Sequence, residues 1–141
     1  MLIRDLLLGK KPHVVVARPD ELVITAVHRM NANHIGALVV IDDNKVVGII
    51  TERDLLVRVL GTGCDPQLTT IEAVMTSDVI TILPQDTIAV AMALSTDLRV
   101  RHLPVVEGGK LVGIVSAGDL TAWFDNDQRQ LIDDLHQYIN H

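Results

Sequence analysis

Short apolar runs alternate with polar stretches along the chain, and their spacing predicts a regular series of strands and helices. Ile3 to Leu8 reads as an apolar helical turn stopped by Gly9-Lys10-Lys11-Pro12. Val14 to Ala17 is a β-branched run that enters a loop at Arg18-Pro19. Asp20 is placed to cap a helix in which Leu22, Val23, Ala26, Val27 and Met30 share a face and which Asn31 and Asn33 end. Leu38 to Ile41 and Val46 to Ile50 form a hairpin about Asp42-Asp43-Asn44-Lys45. Glu52 to Leu60 is a second helix, with Leu55, Leu56, Val59 and Leu60 on one side and Gly61-Thr62-Gly63 at its end. The unit is β-α-β-β-α.

After a linker, Cys64 to Thr70, the pattern begins again. Ile71 to Met75 is the lead-in, Val79 to Leu83 a strand stopped by Pro84, and Asp86 to Leu98 a helix with Ile88, Ala91, Met92 and Ser95 inward. Leu103 to Val106 and Leu111 to Val115 form a hairpin around Gly108-Gly109, and Asp119 to Phe124 is the closing helix. From residue 19 to residue 55 the two units align without a gap at an offset of 65, and Pro19, Ala26, Leu38, Val40, Lys45, Val47, Gly48, Ile49, Asp54 and Leu55 are identical to their partners. This is an internal duplication. It divides the chain into repeat 1 (1–63), a linker (64–70), repeat 2 (71–124) and a C-terminal helix (125–141). Asp125-Asn126-Asp127 reads as a break before that last helix, whose Leu131, Leu135 and Tyr138 form a narrow stripe suited to packing within the chain or across a dimer.

The chemistry-bearing residues recur with the repeat. Gly48-Ile49-Ile50-Thr51-Glu52-Arg53-Asp54 has its copy in Gly113-Ile114-Val115-Ser116-Ala117-Gly118-Asp119. Thr51-x-x-Asp54 and Ser116-x-x-Asp119 are capping boxes, which satisfy free amides at a helix start. The same arrangement offers amides to an anion and a carboxylate to the hydroxyls of a ribose. Its recurrence after a Gly that would let a ligand approach the backbone favours a binding site over capping alone.

Composition narrows the classes. Apolar residues make up 48% of the 141 and aromatics only 2%, which suits a Val/Ile/Leu/Ala sheet core flanked by helices. A net charge of −6 argues against a nucleic-acid partner. The apolar runs are too short to span a membrane, and the N-terminus is not signal-like. One cysteine, Cys64, fits a reducing compartment, and the expected location is the cytoplasm. His13, His28, His34, His102, His136 and His141 show no metal-ligand spacing. The residues also show no arrangement for activating a nucleophile, so neither an enzyme nor a cofactor is expected.

Arg101-His102-Leu103-Pro104-Val105-Val106, leading through Lys110-Leu111-Val112-Gly113-Ile114-Val115-Ser116 to Asp119-Leu120, resembles the cystathionine-β-synthase (CBS) domain. Both repeats carry the pattern, and the pair is similar to small bacterial CBS-pair proteins. The resemblance implies an α/β (α+β) fold: two tandem β-α-β-β-α repeats as one pseudo-twofold module, paired into a homodimeric flat disc. It also implies two clefts for an adenosine-containing ligand (AMP, ADP, ATP or S-adenosylmethionine) and an effector protein that reads their state. By that resemblance Thr51 and Asp54 hold ribose and phosphate in one cleft, and Ser116 and Asp119, with Ile114 ahead of them, in the other. Adenine would lie against Val14 to Val16 with Ile35 and Gly36, and against Ile80 to Ile82, including Thr81, with Val100 and Arg101. Arg101 and His102 would meet phosphate in the second repeat, where the first has Gly36 and Ala37. Arg53 stands opposite Gly118, so the clefts are unequal. The alternative is a ligand-free module for protein interaction or dimerisation, using the C-terminal helix.

Overall fold

The computed structural model describes residues 1–10 and 13–139. Lys11 and Pro12, read as part of the stop after the first turn, lie outside the described residues, as do Asn140 and His141 of the C-terminal segment.

The elements are α1 (Ile3–Leu8), β1 (Val16–Ala17), α2 (Val23–Asn33), β2 (Ala37–Asp42), β3 (Lys45–Thr51) and α3 (Glu52–Asp54). A π-helix (Leu55–Leu60) continues α3. Then come α4 (Ile71–Val74), α5 (Ile88–Asp97), β4 (His102–Glu107), β5 (Lys110–Ser116) and α6 (Ala117–Ile139). This is a mixed α/β fold of two small sheets. In the first, β1 runs parallel to β2 and β2 antiparallel to β3; in the second, β4 and β5 are antiparallel. Both hairpins turn on two left-handed residues, Asp43 and Asn44 (φ 51° and 61°) and Gly108 and Gly109 (φ 59° and 81°), which match the twist of the strands. A register shift falls between Val40 and Ile41 in one hairpin and between Val105 and Val106 in the other, one repeat length apart.

Four local expectations are corrected. Val79 to Leu83 is not a strand; only Ile82 bridges to Val105. Pro104 in the neighbouring strand has no N–H to donate to a further rung. Asp20 does not cap α2, whose N-cap is Leu22. The amides of Val23 and Ile24 instead donate to the carbonyls of Thr69 and Pro66 (2.8 and 2.9 Å), so the linker does the capping. Leu56 and Leu60 do not share the buried face of Leu55 and Val59: they are 63% and 72% exposed, because the π-helix turns more widely than an α-helix. Finally, α6 is unbroken at Asp125-Asn126-Asp127.

There are two cores. One gathers Ala17, Val23, Ala26, Met30, Leu38, Val40, Ile50 and Val59 of repeat 1, and the other Ile82, Ile88, Ala91, Leu103, Val105, Val115 and Leu120 of repeat 2. The lead-in helices are exchanged between them. Ile3 of α1 is buried in the second core, and Ile71 and Val74 of α4 in the first. The backbone contacts repeat faithfully. Ile3 and Arg4 donate to the carbonyls of Asp86 and Pro84 (both 2.9 Å), while Ile71 and Glu72 donate to those of Glu21 and Pro19 (2.8 and 3.0 Å).

The exchange accounts for the repeated glycine. A Cβ on Gly48 would lie 2.4 Å from the Sδ of Met75, and one on Gly113 would lie 2.7 Å from a Cδ of Leu7. These glycines seat the other repeat's lead-in, not a ligand. Gly48→Ala is expected to cost about 1–3 kcal/mol through overpacking. Adding Met75→Ala should return part of that loss in urea denaturation. Strictly additive losses would show that the two residues do not share this seat.

Candidate functional site

Both capping boxes form. In repeat 1 the Asp54 amide donates to Thr51 Oγ1 (3.2 Å), and the Thr51 amide donates back to Asp54 Oδ2 (3.0 Å). In repeat 2 the Asp119 amide donates to Ser116 Oγ (3.0 Å), and the Ser116 amide to Asp119 Oδ2 (2.8 Å). The two carboxylates then diverge. Asp54 is buried, and its Oδ1 accepts the hydroxyl of Thr76 (3.1 Å) with Arg58 Nε 3.8 Å away. Asp119 is more open, and Lys10 Nζ lies 2.5 Å from its Oδ2 while also donating to the Ile114 carbonyl (2.7 Å). Thr76 and Lys10 each follow a lead-in helix, so the exchange brings both to the sites.

Each motif opens on a cleft between the repeats. The first, ≈ 490 Å³, brings Thr51, Arg53, Asp54 and Arg58 of repeat 1 together with Arg99, Val100, Arg101 and His102 of repeat 2. The second, ≈ 500 Å³, brings Ile114, Ser116 and Asp119 of repeat 2 together with Lys10, His13, Val14, Val15, His34, Ile35, Gly36 and Ala37. Gly36 and His102 border both.

This arrangement corrects the pairing that the residue pattern suggests. Arg101 lines the cleft of Thr51 and Asp54, not that of Ser116 and Asp119, because each motif faces the strand start of the opposite repeat. Val16 lies outside both clefts, against Asn44 and Lys110 at the hairpin tips. Neither Ile80 nor Thr81 is in a cleft lining; Ile80 packs on the second core and Thr81 is exposed.

The clefts differ in charge. The first holds four arginines: Arg53, Arg58, Arg99 and Arg101. In the second, Lys10 is accompanied by His13, His34 and His102. Burial holds the His102 imidazole below its ordinary range, and the Arg101 charge adds to this against the opposing pull of Glu52 and Asp119. Burial would raise Asp119, but the Lys10 hydrogen bond and the Ser116 amide outweigh it and hold the carboxyl below its usual value. Among the described residues, no group of three or more His, Cys, Asp or Glu side chains is placed to hold a metal.

Sequence reasoning missed Lys10, Arg58, Thr76, Arg99, His13 and His34. Arg58 was within reach as the i+4 neighbour of Asp54, and Arg99 as the partner of His34 at the repeat offset; both of the latter are left-handed residues closing a helix. Nothing local marks Lys10 or Thr76, which arrive by chain exchange.

The sequence model of the CBS domain matches residues 3–61 and 71–126. The chain belongs to the CBS-domain family. CBS-domain proteins are generally regulatory. A protein of Burkholderia ambifaria with CBS domains, of known structure and assigned to signal transduction by its name alone, is 34% identical, with 91% of this chain and 96% of that one covered and a TM-score of 0.86. A CBS domain pair solved with 5′-methylthioadenosine and S-adenosyl-L-methionine is 27% identical, with 90% and 98% covered and a TM-score of 0.79. A mitochondrial CBS-domain protein of Arabidopsis thaliana is 35% identical over 125 residues, 85% of this chain and 61% of the relative. The chain spans similar shares, 56% and 65%, of relatives from Methanopyrus kandleri and Acidianus ambivalens. No helix among the described residues is long and apolar enough to cross a membrane.

The Lys10–Asp119 contact carries a pH signature. A carboxyl held below its unfolded value contributes stability that is fully present above that value and is lost as pH falls through the folded value. Lys10→Met should therefore be less stable than the parent chain at pH 7. The gap in urea midpoints should begin to narrow as pH falls below about 4, the ordinary carboxyl range, and close through the lower folded value at which Asp119 takes up its proton. A gap that stays constant from pH 7 to pH 3 would assign the loss to packing alone.

Proposed function

We propose that the clefts bind adenosine-containing nucleotides (AMP, ADP, ATP or S-adenosylmethionine) as regulatory ligands, and that a partner protein reads their occupancy. The observation that carries this reading is the first cleft. In a chain of net charge −6, four arginines from both repeats gather around the hydroxyls of Thr51 and Thr76 and the carboxylates of Glu52 and Asp54, positive in excess, in a space of ≈ 490 Å³. Guanidinium groups are the side chains best suited to phosphate oxygens. The neighbour that holds methylthioadenosine and S-adenosylmethionine supports the same ligand class.

The two clefts divide the work. In the first, Asp54 is already engaged by Thr51, Thr76 and Arg58, so Arg53, Arg99 and Arg101 supply the grip on the ligand's anionic end. In the second, Val14, Val15 and Ile35 offer apolar walls to a purine, and Asp119 with Ser116 faces the ribose. A ligand in either cleft touches both repeats and so favours one relative packing of the two, which is how binding becomes a signal. The role is binding without turnover. The exposed Leu56 and Leu60, next to Val57 of the first cleft's lining, give a face for a second copy, in keeping with a homodimer.

Titration calorimetry and thermal unfolding with AMP, ATP and S-adenosylmethionine test this. At a hundredfold excess over its dissociation constant, a ligand should stabilise the fold by about 2.7 kcal/mol. Losing one charge-assisted bond in Arg101→Ala should weaken phosphate-bearing ligands about tenfold or more, and ATP should be recovered unhydrolysed. Absence of both heat and thermal shift with all three would leave the fold intact and turn the reading to a ligand-free interaction module.

A further inference from the structure

The closing helix of repeat 2 outruns its counterpart. In repeat 1 the π-helix ends at Leu60, and the chain turns back so that Pro66 and Thr69 cap α2. Asp125 is the match of Leu60 at the repeat offset, yet α6 continues to Ile139. From Asp125 onward every described side chain is exposed. Phe124, Leu131, Leu135 and Tyr138 recur at helical spacing along one face, with Ile132 and Ile139 beside them. Leu131 and Leu135 are 53% and 51% exposed, and Tyr138 is 83% exposed.

This face is the outward extension of the one that enters the body. Leu120 is buried in the second core on the same side of the helix, and Phe124 with Trp123, Met92 and Met1 lines a mainly apolar groove of ≈ 420 Å³. An unsupported helical stretch of this length is marginal in water, so its apolar side calls for a cover. Charge selects the cover. From Asp125 to Ile139 the sequence has four aspartates (Asp125, Asp127, Asp133 and Asp134) and one basic residue other than histidine, Arg129. A second copy of the helix would set acid against acid, in a chain already at −6. A basic helix would be drawn in by the same charges.

We propose that the outer half of α6 is the docking surface for a basic amphipathic helix of another protein. That helix covers Leu131, Leu135 and Tyr138 with its apolar side and meets Asp134, which flanks that face at helical spacing, with Lys or Arg. This names the partner surface of the function proposed above and rests on that reading only for the meaning of the signal.

The probe is a labelled leucine–lysine helical peptide of about five turns, with a leucine–glutamate peptide as control. Fluorescence anisotropy with the full chain should show binding of the lysine peptide alone, weakened by salt. Leu135→Glu, at an exposed position that leaves the body intact, should weaken it about tenfold or more, and Asp134→Lys should weaken it too. Failure of the lysine peptide to bind, equal binding of the glutamate peptide, or indifference to Leu135→Glu overturns the proposal. So does sedimentation that finds a dimer converted to monomer by Leu135→Glu, since a second copy would then be the cover. Nucleotide heats on the same samples keep the two readings apart. Nucleotide binding without peptide binding removes only this proposal, and peptide binding without nucleotide heats removes only the cleft reading.

Discussion

The structure depends on the reciprocal exchange of the two lead-in helices. Neither repeat closes its core alone: repeat 1 is completed by Ile71 and Val74, and repeat 2 by Ile3. Ile3 and Ile71 are fully buried, and each contributes about 1.5–3 kcal/mol by leaving water. The paired backbone bonds to Asp86 and Pro84, and to Glu21 and Pro19, fix both lead-ins in the same register. Gly48 and Gly113 leave the space that Met75 and Leu7 fill. Folding of either half is thereby tied to the presence of the other.

A symmetric scaffold produces unequal sites through that same exchange. The residues that follow the two lead-ins differ, so Asp54 receives a threonine hydroxyl and Asp119 a lysine ammonium. The strand starts differ as well, placing Val100 and Arg101 beside one motif and Ile35 and Gly36 beside the other. One cleft becomes permanently cationic through arginine, which stays charged at any physiological pH. The other combines one lysine with three histidines, of which His102 is held below its ordinary range by burial.

Local chemistry was legible wherever one segment decided its own fate. The short apolar runs at Leu38 to Ile41 and Val46 to Ile50, with Asp43-Asn44 between, announced a hairpin because turn residues and run length act over a few positions. The capping boxes at Thr51–Asp54 and Ser116–Asp119 were legible for the same reason. Legibility failed where a distant segment substituted for a local one. Asp20 looked like a cap, but the linker carbonyls of Pro66 and Thr69 reached α2 first. Val79 to Leu83 looked like a strand, but its neighbour carried Pro104 where a donor was needed.

By itself the sequence determined the duplication, the order of elements in the first unit, the two hairpins and the two hydroxyl–carboxylate pairs. These rest on periodicity and spacing, which are properties of contiguous residues. Only the tertiary structure decided which core each lead-in completes, that Arg101 faces Thr51 and Asp54, and that Lys10 reaches Asp119. It also decided that α6 runs past the body with Leu131 and Leu135 uncovered. The physical reason is that the repeats are near-copies, so the local pattern of a segment is equally compatible with its own repeat and with the other. The choice is made by apolar burial summed across both halves, which no single segment contains.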